Sequence, residues 1–165
     1  MTETTFDIVI IGAGPGGYVT AIRAAQLGFK TAIIEANHLG GICLNWGCIP
    51  TKALLRSAEI LDYLNHAEQF GLKVGKVEIE LSKIVERSRQ VATQLSKGVE
   101  HLLKKNKVTV YKGYGKLKGK QDLLHKIEIN QETKVTESLL AKNVIVATGA
   151  RARTLPNLQP DGEYI

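Results

Sequence analysis

The chain has 165 residues, 44% hydrophobic and 23% charged, the balance of a globular domain that can bury most of its apolar surface. No apolar run is long enough to span a bilayer, and Met1 to Thr5 lack the basic and apolar regions of a secretory signal. Membrane insertion and secretion are therefore not expected, and the default location is the cytoplasm. Net charge is +6, with the excess between Lys83 and Lys120, where Glu86 and Glu100 are the acids. With only Tyr111 and Tyr114 there to stack on bases, the basic stretch reads as a solvated helix face followed by lysine-guarded strands, and no nucleic-acid partner is expected.

Phe6 to Ile11 is a nearly unbroken apolar run, as in a strand buried on both faces of a parallel sheet. Glycines follow at 12, 14, 16 and 17, and Tyr18 to Leu27 reads as an alanine-rich helix stopped by Gly28. Thr31 to Ile34 forms a second strand ending in Glu35, completing a βαβ unit. A loop from Asn37 to Gly47 carries Cys43, and Pro50 marks the first turn of a helix running to about His66. A second helix covers Leu81 to Lys105, with apolar residues recurring at threes and fours and interrupted by Gly98. Val108 to Tyr111 is a third strand. Lys116–Leu117, Leu124–Asn130 and Lys134–Glu137 alternate as a small antiparallel meander, and Leu139 to Ala147 returns as an apolar strand ending in Thr148 and Gly149. The expected fold is α/β: a Rossmann-like domain over 1–150 with parallel sheet, flanking helices and meander, followed by a tail over 151–165.

Gly12-Ala13-Gly14-Pro15-Gly16-Gly17 fits the G-x-G-x-x-G fingerprint between a strand and a helix. The first glycine permits the tight turn, the second lets a pyrophosphate reach the backbone, and the third lets helix and strand pack closely. The helix aims its unpaired N–H groups and positive dipole end at the phosphates. Glu35 stands where a carboxylate accepts from ribose hydroxyls. The turn predicts a dinucleotide, FAD or NAD, and excludes a phosphate-binding P-loop because no Gly-Lys-Ser/Thr follows.

Cys43 and Cys48 are the two cysteines. Five positions on a regular helix rotate the side chains about 140° apart, so a bridge needs distorted backbone, which Gly40, Gly41 and Gly47 permit. A loop this short would add only about 2 kcal/mol as a staple, so redox work is the better use. Cys48, just before Pro50, lies at a helix N-terminus where the dipole favours a thiolate, with Lys52 adding positive charge. Cys43, on the loop, is the expected exchanging thiol, more open to an incoming sulfur. Two cysteines with His38 make an incomplete zinc site, so no metal is expected. His38, His66, His101 and His125 read as surface or helix histidines.

The segment from Gly40 to Lys52, GGICLNWGCIPTK, resembles the redox-active segment of the pyridine nucleotide–disulfide oxidoreductases. Together with Gly14-Pro-Gly-Gly-Tyr18 and Arg23-Ala-Ala-Gln-Leu-Gly28, it is most similar to the dihydrolipoamide dehydrogenase branch. Glutathione and mercuric reductase types are the alternatives, and an NAD-binding Rossmann module or a non-catalytic interaction module are the rivals outside the family. The resemblance implies tightly bound, non-covalent FAD. Its contacts would be the turn Gly12, Ala13, Gly14, Pro15, Gly16 and Gly17; Glu35 and Ala36 at the ribose; Gly41, Ile42, Cys43, Gly47, Cys48 and Lys52 around the flavin; Gly115 at the adenine; and Ala147, Thr148 and Gly149 at the closing turn. It further implies that dihydrolipoyl groups reduce the disulfide and that electrons pass through flavin to NAD⁺. The implied partners are lipoyl and subunit-binding domains of 2-oxo acid dehydrogenase complexes and a second copy of the complete enzyme. Ile42 and Trp46 depart from residues common in the family. Members are also much longer, adding an NAD fingerprint, a further FAD segment and an interface domain with the histidine–glutamate acid–base pair. The expectation is that this chain is an N-terminal portion, NAD⁺ entering only through absent regions, with little or no turnover alone.

Overall fold

The computed structural model describes residues 4–131, 134–150 and 153–163. Six strands form one sheet in the order β3-β2-β1-β6-β5-β4. They are β1 (Thr4–Ile11), β2 (Thr31–Glu35), β3 (Thr109–Lys112), β4 (Tyr114–Gln121), β5 (Leu124–Gln131) and β6 (Lys134–Val146). β3, β2, β1 and the second half of β6 run parallel, and β4, β5 and the first half of β6 are antiparallel.

The apolar run in β1 follows from burial on both faces, since successive side chains alternate across a sheet. Phe6, Val9 and Ile11 join Ala32, Ile34, Ile127, Ile129, Leu139 and Ala141 in one core. Ile10 and Ile33 point the other way, packing with Ala13, Ala21, Leu44, Val99, Leu103 and Val108. Helices α1 (Pro15–Gln26), α2 (Gly41–Asn45) and α4 (Leu81–Lys105) supply that second core. The meander covers the first, which brings Gly115 of β4 against Ile11 and Ile34. The result is three layers: helices, parallel strands and meander.

The predicted elements are present, with informative shifts. The first helix begins at Pro15 rather than Tyr18, because proline at the first helical position gives up an N–H that is unpaired there anyway. Helix α3 (Cys48–Asn65) starts two residues before Pro50, and α4 has the predicted bounds. The loop predicted over 37–47 contains α2. The final meander strand and the apolar return strand are one continuous strand, β6, serving both halves of the sheet.

Candidate active site

The carboxyl ends of the parallel strands open onto a cleft of about 600 Å³, within the range of small-molecule sites. Its walls include Gly12, Gly14 and Pro15 from the glycine turn; Glu35 and Ala36 after β2; Gly41, Ile42 and Cys43 on α2; Gly115 of β4; and Ala147, Thr148 and Gly149 after β6. These predicted residues, from five separate stretches of chain, meet at one place. Ala13 is buried behind the wall, and Gly16, Gly17, Gly47, Cys48 and Lys52 are not part of it.

Two glycines of the turn are dictated by the protein itself. Gly12, at φ +100°, sits so close to Ala147 that an added methyl would strike its carbonyl oxygen. A methyl on Gly17 would strike the Gly12 carbonyl. Gly14 is different: it lines the cleft, has φ −69°, and an added methyl would meet no protein atom within 4 Å. No protein atom demands glycine there, so the space beside Gly14 is open to the cleft. The N-terminus of α1 has no side-chain cap and no acid in its first turn, which leaves its dipole end available to an anion.

Glu35 closes the opposite side of the turn. One carboxylate oxygen accepts from the Ala13 N–H at 2.7 Å and the other from the Asn37 N–H at 2.8 Å. The carboxylate is thus held in place with lone pairs remaining, because each oxygen can accept more than one bond. Gly40 N–H donates to the Ala13 carbonyl at 2.8 Å, tying the cysteine segment to the glycine turn. Gly41 approaches closely enough that its added methyl would lie 2.8 Å from Gly14 Cα.

Both cysteines are free thiols, and Cys48 lies close enough to Cys43 to perturb it. The Cys43 thiol hydrogen-bonds Cys48 Sγ, which is the main reason its pKa is raised above the ordinary value; burial and repulsion by the Cys48 charge add to this. The Cys48 backbone N–H and the Lys52 charge oppose it. Cys48 is the first residue of the 18-residue α3, at that helix's N-terminus. The expectation that Cys43 is the more open sulfur is corrected: Cys43 is half-buried and Cys48 exposed, because α2 turns Cys43 inward against the cleft.

Sequence reasoning passed over other wall residues: Ile11, Ile34, Asn37, His38, Trp46, Gly113, Tyr114 and Ala150. Their signal was weak, since all but Trp46 lie beside the recognised motif residues, and Trp46 was read only as a departure within its motif. Trp46 meets His38 edge-on on the cleft wall, with ring centroids 5.0 Å apart. Among the described residues no group of three His, Cys, Asp or Glu side chains could hold a metal ion, and no helix is long and apolar enough to cross a membrane.

The fold and this site together define a dinucleotide-binding α/β domain with a thiol pair beside the cleft. The pyridine nucleotide-disulphide oxidoreductase family profile matches residues 6–164, and the chain belongs to that family. It is 56% identical over 161 residues to the dihydrolipoyl dehydrogenase of Zymomonas mobilis, covering 97% of this chain and 34% of that protein. To the dihydrolipoyl dehydrogenase of Bacillus subtilis it is 46% identical over 166 residues, covering 98% and 35%. A crystal structure of LpdA from Mycobacterium tuberculosis superposes with a TM-score of 0.84 at 32% identity, covering 97% and 35% of the two chains. The chain thus spans about a third of the length of the relatives it matches.

Proposed function

We propose that this chain is the FAD-binding, thiol-bearing part of a dihydrolipoyl dehydrogenase, with FAD in the cleft and the Cys43–Cys48 pair cycling between dithiol and disulfide. The observation that carries the reading is that Cys43, in contact with Cys48, forms the wall of the same cleft that the glycine turn opens. Gly14 leaves room for a pyrophosphate, α1 offers its unopposed dipole end, and Glu35 presents a fixed carboxylate to ribose hydroxyls. Gly115 would let the adenine approach a backbone, Ala36 would stand beside Glu35 at the ribose, Ala147, Thr148 and Gly149 would close the pocket, and Ile42, Gly47 and Lys52 would complete the surroundings of the flavin. We assign the FAD-binding unit to 1–150, with 151–165 leading toward an NAD-binding domain.

In the oxidised pair, a dihydrolipoyl thiolate attacks the Cys43 sulfur and Cys48 leaves as thiolate. The second dihydrolipoyl sulfur then displaces Cys43, releasing a lipoyl disulfide and leaving the dithiol. FAD held in this cleft would supply the two-electron acceptor for the dithiol, with NAD⁺ as the final acceptor in the complete protein. The exchange role is given to Cys43, and Cys48, at the first position of α3, is the leaving sulfur. Lipoyl domains and the subunit-binding domain of 2-oxo acid dehydrogenase complexes are the partners this chemistry requires, the enzyme acting as a cytoplasmic homodimer. On this reading the 165-residue chain alone would turn over little or no substrate.

The test is spectroscopic. Purified protein should carry a yellow flavin spectrum that responds to dihydrolipoamide. Colourless protein that binds NAD instead would replace this reading with a simple NAD-binding module.

A further inference from the structure

We propose that Asn45 is the positioning residue of the thiol pair and that α4 sets it in place through Ser96 and Arg89. The proposal rests on the redox reading of Cys43 and Cys48. Helix α2 is five residues long, starts at Gly40 with φ +90° and has no side-chain cap, so little in its own backbone holds Cys43 still. Asn45 supplies what is missing. Its Nδ2 donates to the carbonyls of Leu39 at 3.0 Å and Gly41 at 2.9 Å, spending both amide hydrogens inside the turn that carries Cys43. Its Oδ1 accepts from Ser96 Oγ at 3.3 Å, and its main-chain carbonyl accepts from Arg89 Nη1 at 3.0 Å.

The second sulfur is held from the same helix. Arg87 Nη1 donates to the Ala53 carbonyl on α3 at 2.9 Å, one turn beyond Cys48. Helix α4 therefore grips both sulfur-bearing helices, and Asn45 converts its grip on α2 into a fixed place for Cys43. A disulfide closes only within a narrow window of Cα separation, so loosening one carrier lowers the effective concentration of one thiol at the other.

The experiment equilibrates the reduced protein with glutathione and glutathione disulfide. In closing, one thiolate of the pair attacks glutathione disulfide and releases one glutathione. The partner thiolate then displaces the second, so two protons and two electrons leave the pair and one glutathione disulfide becomes two glutathione thiols. Asn45→Ala should weaken the closing equilibrium about tenfold, equivalent to about 30 mV. Iodoacetamide should also label Cys43 several times faster at pH 8, because a loosened α2 exposes its half-buried thiol more often, with Cys48 labelling unchanged. Ser96→Ala and Arg89→Gln leave the two contacts inside the turn intact. They should move both readouts the same way by about two- to threefold, while the urea midpoint stays near that of the parent. They also carry the test should Asn45→Ala fail to fold. Closing constants within 1.5-fold of the parent in every folded variant would overturn the proposal. A parent that forms no Cys43–Cys48 disulfide at any glutathione ratio would instead overturn the redox reading beneath it.

Discussion

At the cleft, substitution of neighbouring glycines separates what the fold needs from what the ligand needs. Gly12→Ala places a side chain at φ +100° against the Ala147 carbonyl, and should cost roughly 2–4 kcal/mol in urea unfolding. Gly14→Ala adds a methyl where no protein atom lies within 4 Å, so its midpoint should match the parent while flavin retention falls. A Gly14→Ala protein that keeps its flavin would remove Gly14 from the binding wall. The thiols separate in the same way. Cys48→Ser should abolish a long-wavelength thiolate–flavin absorbance on reduction and Cys43→Ser should retain it; the reverse pattern would exchange their roles. The raised Cys43 pKa also has a stability consequence. Folding raises the Cys43 pKa above its ordinary value of 9.0, so the stability it contributes is fully present below that pH and lost as pH climbs through the raised value. Reduced parent should therefore lose more stability between pH 8 and 11 than Cys43→Ser, as read by urea midpoints.

Helix α4 shows what periodicity can and cannot tell about an element. Its bounds and amphipathic character were legible because apolar residues recur every three or four positions over 25 residues. Which of them are core was not. Ala92, Val99 and Leu103 are buried together with Ser88, whereas Leu81 is 67% and Val85 45% exposed. The apolar stripe is wider than the face that meets the sheet. Ser88 is accommodated because its hydroxyl donates to the Val85 carbonyl at 2.7 Å. Gly98 has no neighbour within 4 Å of an added methyl and does not sit at positive φ, so close packing does not explain it. Gly98→Ala should stabilise the protein by about 0.5–1 kcal/mol in thermal or urea unfolding, the ordinary cost of glycine inside a helix. Leu103→Ala, in the core beneath the same helix, should cost about 2–5 kcal/mol.

At the scale of the molecule, Asp7 fastens three strands at the end of the sheet away from the cleft. Its carboxylate accepts from the Lys30 N–H at 2.8 Å just before β2 and pairs with Lys142 on β6, also at 2.8 Å. Lys142, then Lys30, hold the Asp7 pKa below the ordinary carboxylate value. That contribution is present above pH 3.8 and is lost as pH falls through the lowered value. Asp7→Asn should consequently show a flatter acid limb in a plot of unfolding midpoint against pH, without altering the site.

The sequence by itself determined the βαβ start, the long helices, the glycine turn and the thiol pair, because each is written in local spacing: alternation, three-and-four recurrence, or glycine at a tight turn. Only the tertiary structure decided that β6 is one strand shared by both halves of the sheet. It also decided that the meander covers one face, carrying Gly115 to the cleft. The inward turn of Cys43 and the grip of Arg89 and Ser96 on Asn45 belong to the same class. The β1–β6 pairing, the approach of Gly115 and the grip on Asn45 depend on contacts between residues more than forty positions apart, and no spacing within a short window encodes which distant backbone carbonyl a side chain will find.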